Sequence, residues 1–282
     1  IWLHSEMRSE SGGFYSSINA DSENQEGKFY VWERNEIKKI IDPKDFNIIE
    51  KYYGLDEEAN FENRWHLTVS NDTENIEKDS KFESEKLENI VKKCNKVLHK
   101  VRKLRTPPSL DKKQLTSWNA LVIKGLAVSG RVLDRKDYIQ SARESLEFIE
   151  KNQFDKNILM ACYINKMSKF PAYLDDHAFL LDAILEFLQS EWDTKLLHFA
   201  IKLADTLIDN FLDEEKGGFF FTRNNHEKLI FRSKPMSDDA MPSGNGIACF
   251  TLQRLGFLVG DEKYLRASKK TLESGFNLLK ES

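Results

Sequence analysis

Long apolar runs, a surplus of charge of either sign and cysteine are all scarce in this sequence. No apolar stretch approaches the roughly 18 residues that a membrane span needs, so no transmembrane helix is expected. The 42 basic and 46 acidic residues nearly cancel. Such a balance lacks the concentrated Lys/Arg that phosphate backbones demand, and neither nucleic acid nor a membrane is an expected partner. The three cysteines, Cys94, Cys162 and Cys249, are far apart and odd in number. They form neither a disulfide framework nor a metal-ligand spacing and fit a reducing compartment, so a cytoplasmic location is expected. The six histidines show no ligand spacing, which argues against a zinc-dependent toroid. A Walker-type glycine loop and a Gly-x-Ser-x-Gly elbow are missing as well, and neither a cofactor nor a metal is expected. Disorder is excluded for the bulk of the 282 residues, because a hydrophobic content of 40% suffices for a core.

What is present is a helical repeat from residue 117 onward. The first unit is SWNALVIKGLAVSGRVLD followed by DYIQSARESLEFIEKNQ. The second is DDHAFLLDAILEFLQ followed by TKLLHFAIKLADTLIDNF, and the third SGNGIACFTLQRLGFLVG followed by EKYLRASKKTLESGFNLLK. Each unit pairs a largely apolar helix (Leu121, Val122, Ile123, Leu126, Ala127 and Val128 in the first) with an amphipathic one. Leu196, Phe199, Ala200, Leu203, Leu207 and Ile208 show the 3–4 spacing of the second type. This predicts an inner layer of buried helices and an outer layer of half-exposed ones, either an open solenoid or a closed α/α toroid. Turns within a unit are short, and links between units are long. The long links carry extended segments such as Met160–Ile164, and a hairpin of Gly218–Thr222 with Lys228–Arg232 is expected.

The first third is less regular. Gly12-Gly13-Phe14-Tyr15-Ser16-Ser17 echoes Gly217-Gly218-Phe219-Phe220-Phe221-Thr222. The first ten residues carry Glu6, Arg8 and Glu10 and read as the last turns of a helix rather than a signal peptide. A strand is expected at Lys28–Trp32, helices at Glu33–Ile41, Pro43–Tyr53 and Phe82–Leu104, and a polar surface excursion at Asn71–Glu88. Starting on Ile and ending on a helix, the chain reads as a piece of something longer.

Three motifs open the inner helices and share the end that carries the long links: Thr116-Ser117-Trp118-Asn119, Tyr173-Leu174-Asp175-Asp176-His177 and Pro242-Ser243-Gly244-Asn245. Polar and aromatic groups ringed around one mouth suit a small-molecule pocket, and helix N-termini offer free N–H groups. Substrate-binding candidates there are Trp118, Asn119, Tyr173, Asp175, Asp239, Ser243 and Asn245. Ser117, Asp175 and Ser243 are equally readable as helix N-caps, a role less suited to Asn119 and Asn245 inside the first turn, and Trp118 as core. Asp176 and His177 are catalytic candidates, as a carboxylate-tuned acid/base pair. Asp21 and Glu23, with Glu26 as a binding group, form the densest acidic cluster, fit either for acid/base work or for a solvated turn.

These motifs carry a resemblance. GGFYSS, then ADSE and EGKFYVW, LTSWN (115–119), YLDD (173–176), GGFFFT and PSGN come in an order that closely resembles the YyaL / spermatogenesis-associated protein 20 family. The resemblance covers essentially the whole chain. It implies an all-α fold: an (α/α)6 toroid of the six-hairpin glycosidase / N-acylglucosamine 2-epimerase type, with short β-hairpins at the pocket end. Family members begin with a thioredoxin-like domain bearing a Cys-x-x-Cys-type motif, which these residues do not contain. Residues 1–282 are therefore expected to be one partial barrel domain, incomplete at both ends, whose partner in full-length relatives is that thioredoxin-like domain. The implied function is binding or processing of a sugar-like small molecule, as an epimerase/isomerase or glycoside hydrolase with carboxylate acid/base chemistry. The resemblance implies Tyr in many relatives where His177 stands, which weighs against a histidine-based epimerase. The alternatives are a helical-repeat scaffold for a protein or peptide, or an inactive barrel serving the thioredoxin-like domain.

Overall fold

Leu174–Leu188 (LDDHAFLLDAILEFL) is apolar beyond its first turn except for Asp182 and Glu186, and in the computed structural model all but Asp175 and Glu186 of it is buried. Such a helix needs neighbours all round, and it has them: helices from the preceding and following repeats flank it, and its own amphipathic partner covers it from outside.

The structure describes residues 2–79, 84–227 and 229–281. In chain order a π-helical turn (Leu3–Met7) is followed by β1 (Ser17–Ile18), β2 (Asp21–Ser22), β3 (Gln25–Glu26), α1 (Arg34–Ile40), α2 (Pro43–Tyr52), α3 (Thr73–Asp79), α4 (Ser84–Arg102) and β4 (Leu110–Asp111). Then come β5 (Gln114–Leu115), α5 (Thr116–Val132), α6 (Lys136–Asn152), β6 (Phe154–Asp155), β7 (Ile158–Ile164), β8 (Met167–Pro171), α7 (Leu174–Leu188), α8 (Thr194–Phe211), α9 (Gly244–Val259) and α10 (Glu262–Glu281). The residues fall into two compact units, Ile1–Ser17 with Lys112–Ser282, and Ile18–Asp111.

The first unit consists of helical hairpins. Helices α5, α7 and α9 lie side by side as an inner layer, and α6, α8 and α10 each cover their own partner. This two-layer succession of helical hairpins is what the repeat predicts for a solenoid or a toroid, and it fits the (α/α) toroid that the resemblance implies. In α8 the buried set is Leu196, Phe199, Ala200, Leu203, Ala204, Leu207 and Phe211, the expected 3–4 stripe, with Ile208 half-buried. Helix α5 buries only Ile123 and Ala127 of its expected apolar set, since it has an inner-layer neighbour on one flank only.

The first and third hairpins repeat in a fixed register. Gly130 of α5 faces Ile139 of α6, and Gly256 of α9 faces Leu265 of α10, where a Cβ would lie 2.6 and 2.7 Å from the isoleucine and leucine side chains. Each residue pair is offset by 126 positions (130 to 256, 139 to 265). Ion pairs cross the inner layer: buried Asp182 of α7 accepts from Lys124 of α5 (2.6 Å) and Arg254 of α9 (3.2 Å), and Glu186 one turn on from Arg131 and Arg254. A carboxylate so placed needs these cations, because an unpaired buried charge is costly. Between the first two hairpins the chain forms an antiparallel sheet in which β7 pairs with β5, β6 and β8, so the extended reading of Met160–Ile164 holds.

The second unit has its own core of Trp32, Ile37, Ile49, Leu55, Val91 and Leu98. Helices α1 and α2 lie where the sequence puts them, and α2 is capped by Asp42 accepting from Lys44 N. The expected excursion at 71–88 contains helix α3, whose Ile76 is buried, and the start of α4. Phe82, the expected start of the long helix, lies outside the described residues.

One expected strand and one expected hairpin are not formed among the described residues. Lys28–Tyr30 is a turn and only Trp32 pairs, with Trp65. The reason is Arg105, whose guanidinium donates to the carbonyls of Phe29 (2.9 Å) and Val31 (2.7 Å) and lies 4.0 Å over Trp32. The expected hairpin of 218–222 with 228–232 is a loop. Phe219 is drawn to α9 instead, Phe221 N donates to Ser233 O, and Lys228 lies outside the described residues.

Candidate functional site

Two Gly-Gly-Phe turns organise the end at which the inner helices begin. In the first, Ser9 N donates to Gly13 O and Phe14 pairs with Arg8; in the second, Asp213 N donates to Gly218 O and Phe219 pairs with Leu212. Both phenylalanines are held by an asparagine. Asn119 Oδ1 accepts from Phe14 N (2.6 Å), while its Nδ2 donates to Phe14 O (3.0 Å) and Leu115 O (2.9 Å). Asn245 Oδ1 accepts from Phe219 N (2.6 Å), while its Nδ2 donates to Phe219 O (2.9 Å) and Pro235 O (2.7 Å). Both side chains are buried and both amide hydrogens of each are committed. The substrate-binding role expected of Asn119 and Asn245 therefore gives way to clamping of backbone. The sequence signal was real, since neither residue is a helix cap, but the partner of Asn119 stands 105 residues away.

The YLDDH motif splits in the same manner. Asp176 is buried, and its two oxygens accept from backbone N–H groups at two helix starts, Ser117 of α5 and Tyr173 before α7, both at 2.9 Å. Burial pushes its carboxyl up to about 6, with those N–H groups pulling the other way. His177 is buried against Phe211, and its Nδ1 meets Tyr173 O at 2.8 Å. Burial pushes it down to about 4, so at neutral pH it is an uncharged ring. These two residues tie helix ends together rather than meet each other as an acid/base pair. Of the expected caps, only Ser243 caps its helix, accepting from Gly246 N (3.3 Å); its own N–H donates to Asp238 (2.7 Å). Asp239 and Trp118 are exposed.

Asp175 is different. It is half-buried, its Oδ1 is shielded from solvent and has no hydrogen-bond partner among the described residues. That oxygen lies against the start of α9, where a Cβ on Gly244 would stand 2.1 Å from it. Burial alone pushes its carboxyl up to about 6 from the ordinary 3.8. The loop that follows the second Gly-Gly-Phe turn docks beside it. Phe221 O accepts from Leu174 N (3.0 Å), the Phe221 ring stacks on Tyr173 at 5.0 Å, and His226 lies 6.3 Å from the same tyrosine. Along this loop Thr222 Oγ1, Arg223 Nε and Nη1, and His226 Nδ1 are also buried without partners among the described residues. Sequence reasoning missed these three residues, because nothing in the periodicity of a polar loop marks it as buried.

A carboxyl held above its free value binds its proton more tightly in the folded protein. Its contribution to stability is therefore full below 3.8 and lost as pH rises through about 6. That difference is worth about 3 kcal/mol for a fully buried group, and the partial exposure of Asp175 reduces it to about 1–2 kcal/mol. We expect Asp175→Asn to be more stable than wild type by that amount at pH 7.5 and equal to it at pH 3.5. Urea titrations at the two pH values would show this, and equal stability at pH 7.5 would remove the desolvation account.

In the second unit, Asp21, Glu23 and Glu26 are all exposed on the β2–β3 hairpin, whose two turn residues Glu23 and Asn24 have φ of 52° and 61°, values suited to a two-residue hairpin turn. Asp21 faces Glu26 across the ladder, and Glu23 pairs with Lys28 at 3.1 Å. Glu23 borders a hollow of about 380 Å³, and Glu26 one of about 370 Å³. Arg64 lines both, and the first also holds Glu36, paired with Arg105 at 2.9 Å. Among the described residues no group of three or more His, Cys, Asp or Glu is placed to hold a metal ion, and no helix is long and apolar enough to cross a membrane.

No family model matches the chain. It is 28% identical over 291 residues to human spermatogenesis-associated protein 20, covering 90% of this chain and 37% of that protein. An uncharacterized protein of Caenorhabditis elegans is 25% identical over 286 residues, with 90% and 39% covered. The chain thus spans little more than a third of the length of the curated relatives it matches. Among solved structures it is similar to cellobiose 2-epimerase from Spirochaeta thermophila (13% identity, TM-score 0.48, covering 58% of this chain and 43% of that one). It is also similar to a GH76 α-mannanase of Bacteroides thetaiotaomicron (17% identity, TM-score 0.45, covering 60% and 46%). The motifs in their order, together with the alignment over nine-tenths of its length, make this chain similar to the spermatogenesis-associated protein 20 relatives, as the resemblance to that family implies.

Proposed function

We propose that the helical-hairpin unit is a carbohydrate-handling module that binds a small, sugar-like molecule where α7 and α9 begin. One observation carries this reading: buried polar atoms of Asp175, Thr222, Arg223 and His226, near the stacked Tyr173–Phe221 pair, have no partner among the described residues. Buried polar atoms are ordinarily satisfied, and those left over at one place need an account. A polyhydroxylated ligand supplies one, since each hydroxyl both donates and accepts while its C–H face lies on an aromatic ring. In an epimerase- or glycosidase-like reaction the proton-transfer group here is Asp175. It is half-buried, has an oxygen without a partner among the described residues, and is held near 6, in the range useful to a general acid or base. The partial-barrel reading of the chain and its service to a thioredoxin-like domain in longer relatives belong to the same proposal.

The test is a thermal-shift screen of mono- and disaccharides at millimolar concentration. A ligand at 100 times its dissociation constant adds about 2.7 kcal/mol, so a rise of several degrees is expected with at least one sugar, and its loss in Asp175→Asn. The reading ends if no sugar shifts the transition.

A further inference from the structure

Arginines in this protein are generally matched. Arg8, Arg34, Arg105, Arg131, Arg135, Arg143 and Arg254 each pair with at least one carboxylate. Arg232 donates to Thr222 O and lies over Phe220, and Arg102 lies over Phe29 and Tyr30, each with its Nε buried without a partner among the described residues. Arg223 goes further, with two such nitrogens. It is half-buried, Nε and Nη1 are closed off from solvent without an acceptor, and among the described residues no carboxylate reaches ion-pair distance. It lies close enough to His177 to help hold that ring uncharged. A guanidinium does not shed its proton at neutral pH, so the fold holds an uncompensated positive charge, which costs free energy unless something supplies the anion.

We propose that Arg223 is the anion-recognition residue of the site described above, and that the sugar-like ligand is acidic, bearing a carboxylate or a phosphate. This rests on the sugar-binding reading. A guanidinium donates along its edges, so an oxyanion of either kind can bridge Nε or Nη1 with the Nη2 that lies beside each. The neighbouring orphans define the rest of the molecule. Thr222 Oγ1, 7% exposed as a residue, and His226 Nδ1 suit hydroxyls on the same side as the anion. Asp175 Oδ1 lies against α9 and repels a second negative charge there, so the ligand turns a hydroxyl toward it. The result is a polar molecule with one charged end, laid against the Tyr173–Phe221 stack.

The experiment compares glucuronate, glucose 6-phosphate and glucose by thermal shift on the intact protein, with wild type and Arg223→Met. Wild type should respond to at least one acidic sugar at a concentration at least tenfold below that needed for glucose, the more potent one naming the group as carboxylate or phosphate. Arg223→Met should melt higher than wild type without ligand, because the buried charge is gone, and should respond to all three sugars alike. Equal potency of the three sugars on wild type overturns the anion assignment while sugar binding stands. Silence toward all three overturns both. A ligand-free Arg223→Met that melts lower and keeps the preference shows Arg223 to be structural, and overturns the proposal independently of the first arm.

Discussion

Asn245→Leu is expected to lower stability by about 3–5 kcal/mol, the combined effect of leaving several buried backbone groups unpaired. Leucine keeps the branching and heavy-atom count of asparagine but is bulkier, so overpacking adds to the lost hydrogen bonding. Three bonds go at once: Phe219 N loses its acceptor, and Phe219 O and Pro235 O lose their donor. Phe219 is fully buried, so water cannot replace them without dislodging its ring. Asn119→Leu should behave alike, through Phe14 and Leu115. Asn245→Asp adds a control: it retains the acceptor for Phe219 N but loses both donors and buries a charge, so it should be worse at pH 7 than at pH 4. Urea unfolding followed by circular dichroism measures all three, and a change below 1 kcal/mol in the leucine variants would show the clamp to be ornamental.

The second large effect is expected at Gly217, where alanine should cost about 2–4 kcal/mol from a left-handed backbone combined with overpacking. Its φ is +73°, and a Cβ would stand 2.3 Å from Lys270 O of α10. Backbone cannot rotate aside as a side chain can, so the turn must lift away from the helix and pull against the Asn245 clamp. Gly260 provides the comparison: its φ is +71°, but nothing lies within 4 Å of the added methyl group. Gly260→Ala should cost only about 1 kcal/mol, the left-handed penalty alone. Should both alanines cost the same, close approach to α10 would contribute nothing.

These variants also mark how far the sequence could be read. Spacing of apolar residues shows α8 and its stripe, because periodicity reports burial directly. The echo between Gly12-Gly13-Phe14 and Gly217-Gly218-Phe219 is visible too, but its meaning is not, since the asparagine that holds each phenylalanine is remote in the chain. Asp175 and Asp176 are indistinguishable as letters. One residue of helix turns the second into the gap between α5 and α7 and leaves the first against α9, so that one carboxylate is tied down and the other has an oxygen without a partner among the described residues. Lys28–Trp32 has the aromatic composition of a strand, and only the carbonyl-binding Arg105, more than 70 residues on, explains why it turns.

The two asparagine clamps close loops of very different length, 105 residues for Asn119 and 26 for Asn245. Closure entropy grows only with the logarithm of length, so the longer loop costs about 1 kcal/mol more than the shorter one. That is less than one good clamp returns. The stretch between a Gly-Gly-Phe turn and its inner helix is therefore a place where the chain can take on cargo almost free of thermodynamic penalty. The unit Ile18–Asp111, with a core of its own, is strung in that interval. In the third hairpin the same interval holds the short loop with Thr222, Arg223 and His226. One kind of backbone fastening thus spans two very different intervals, one holding a whole folded body and the other a loop with a few buried polar side chains.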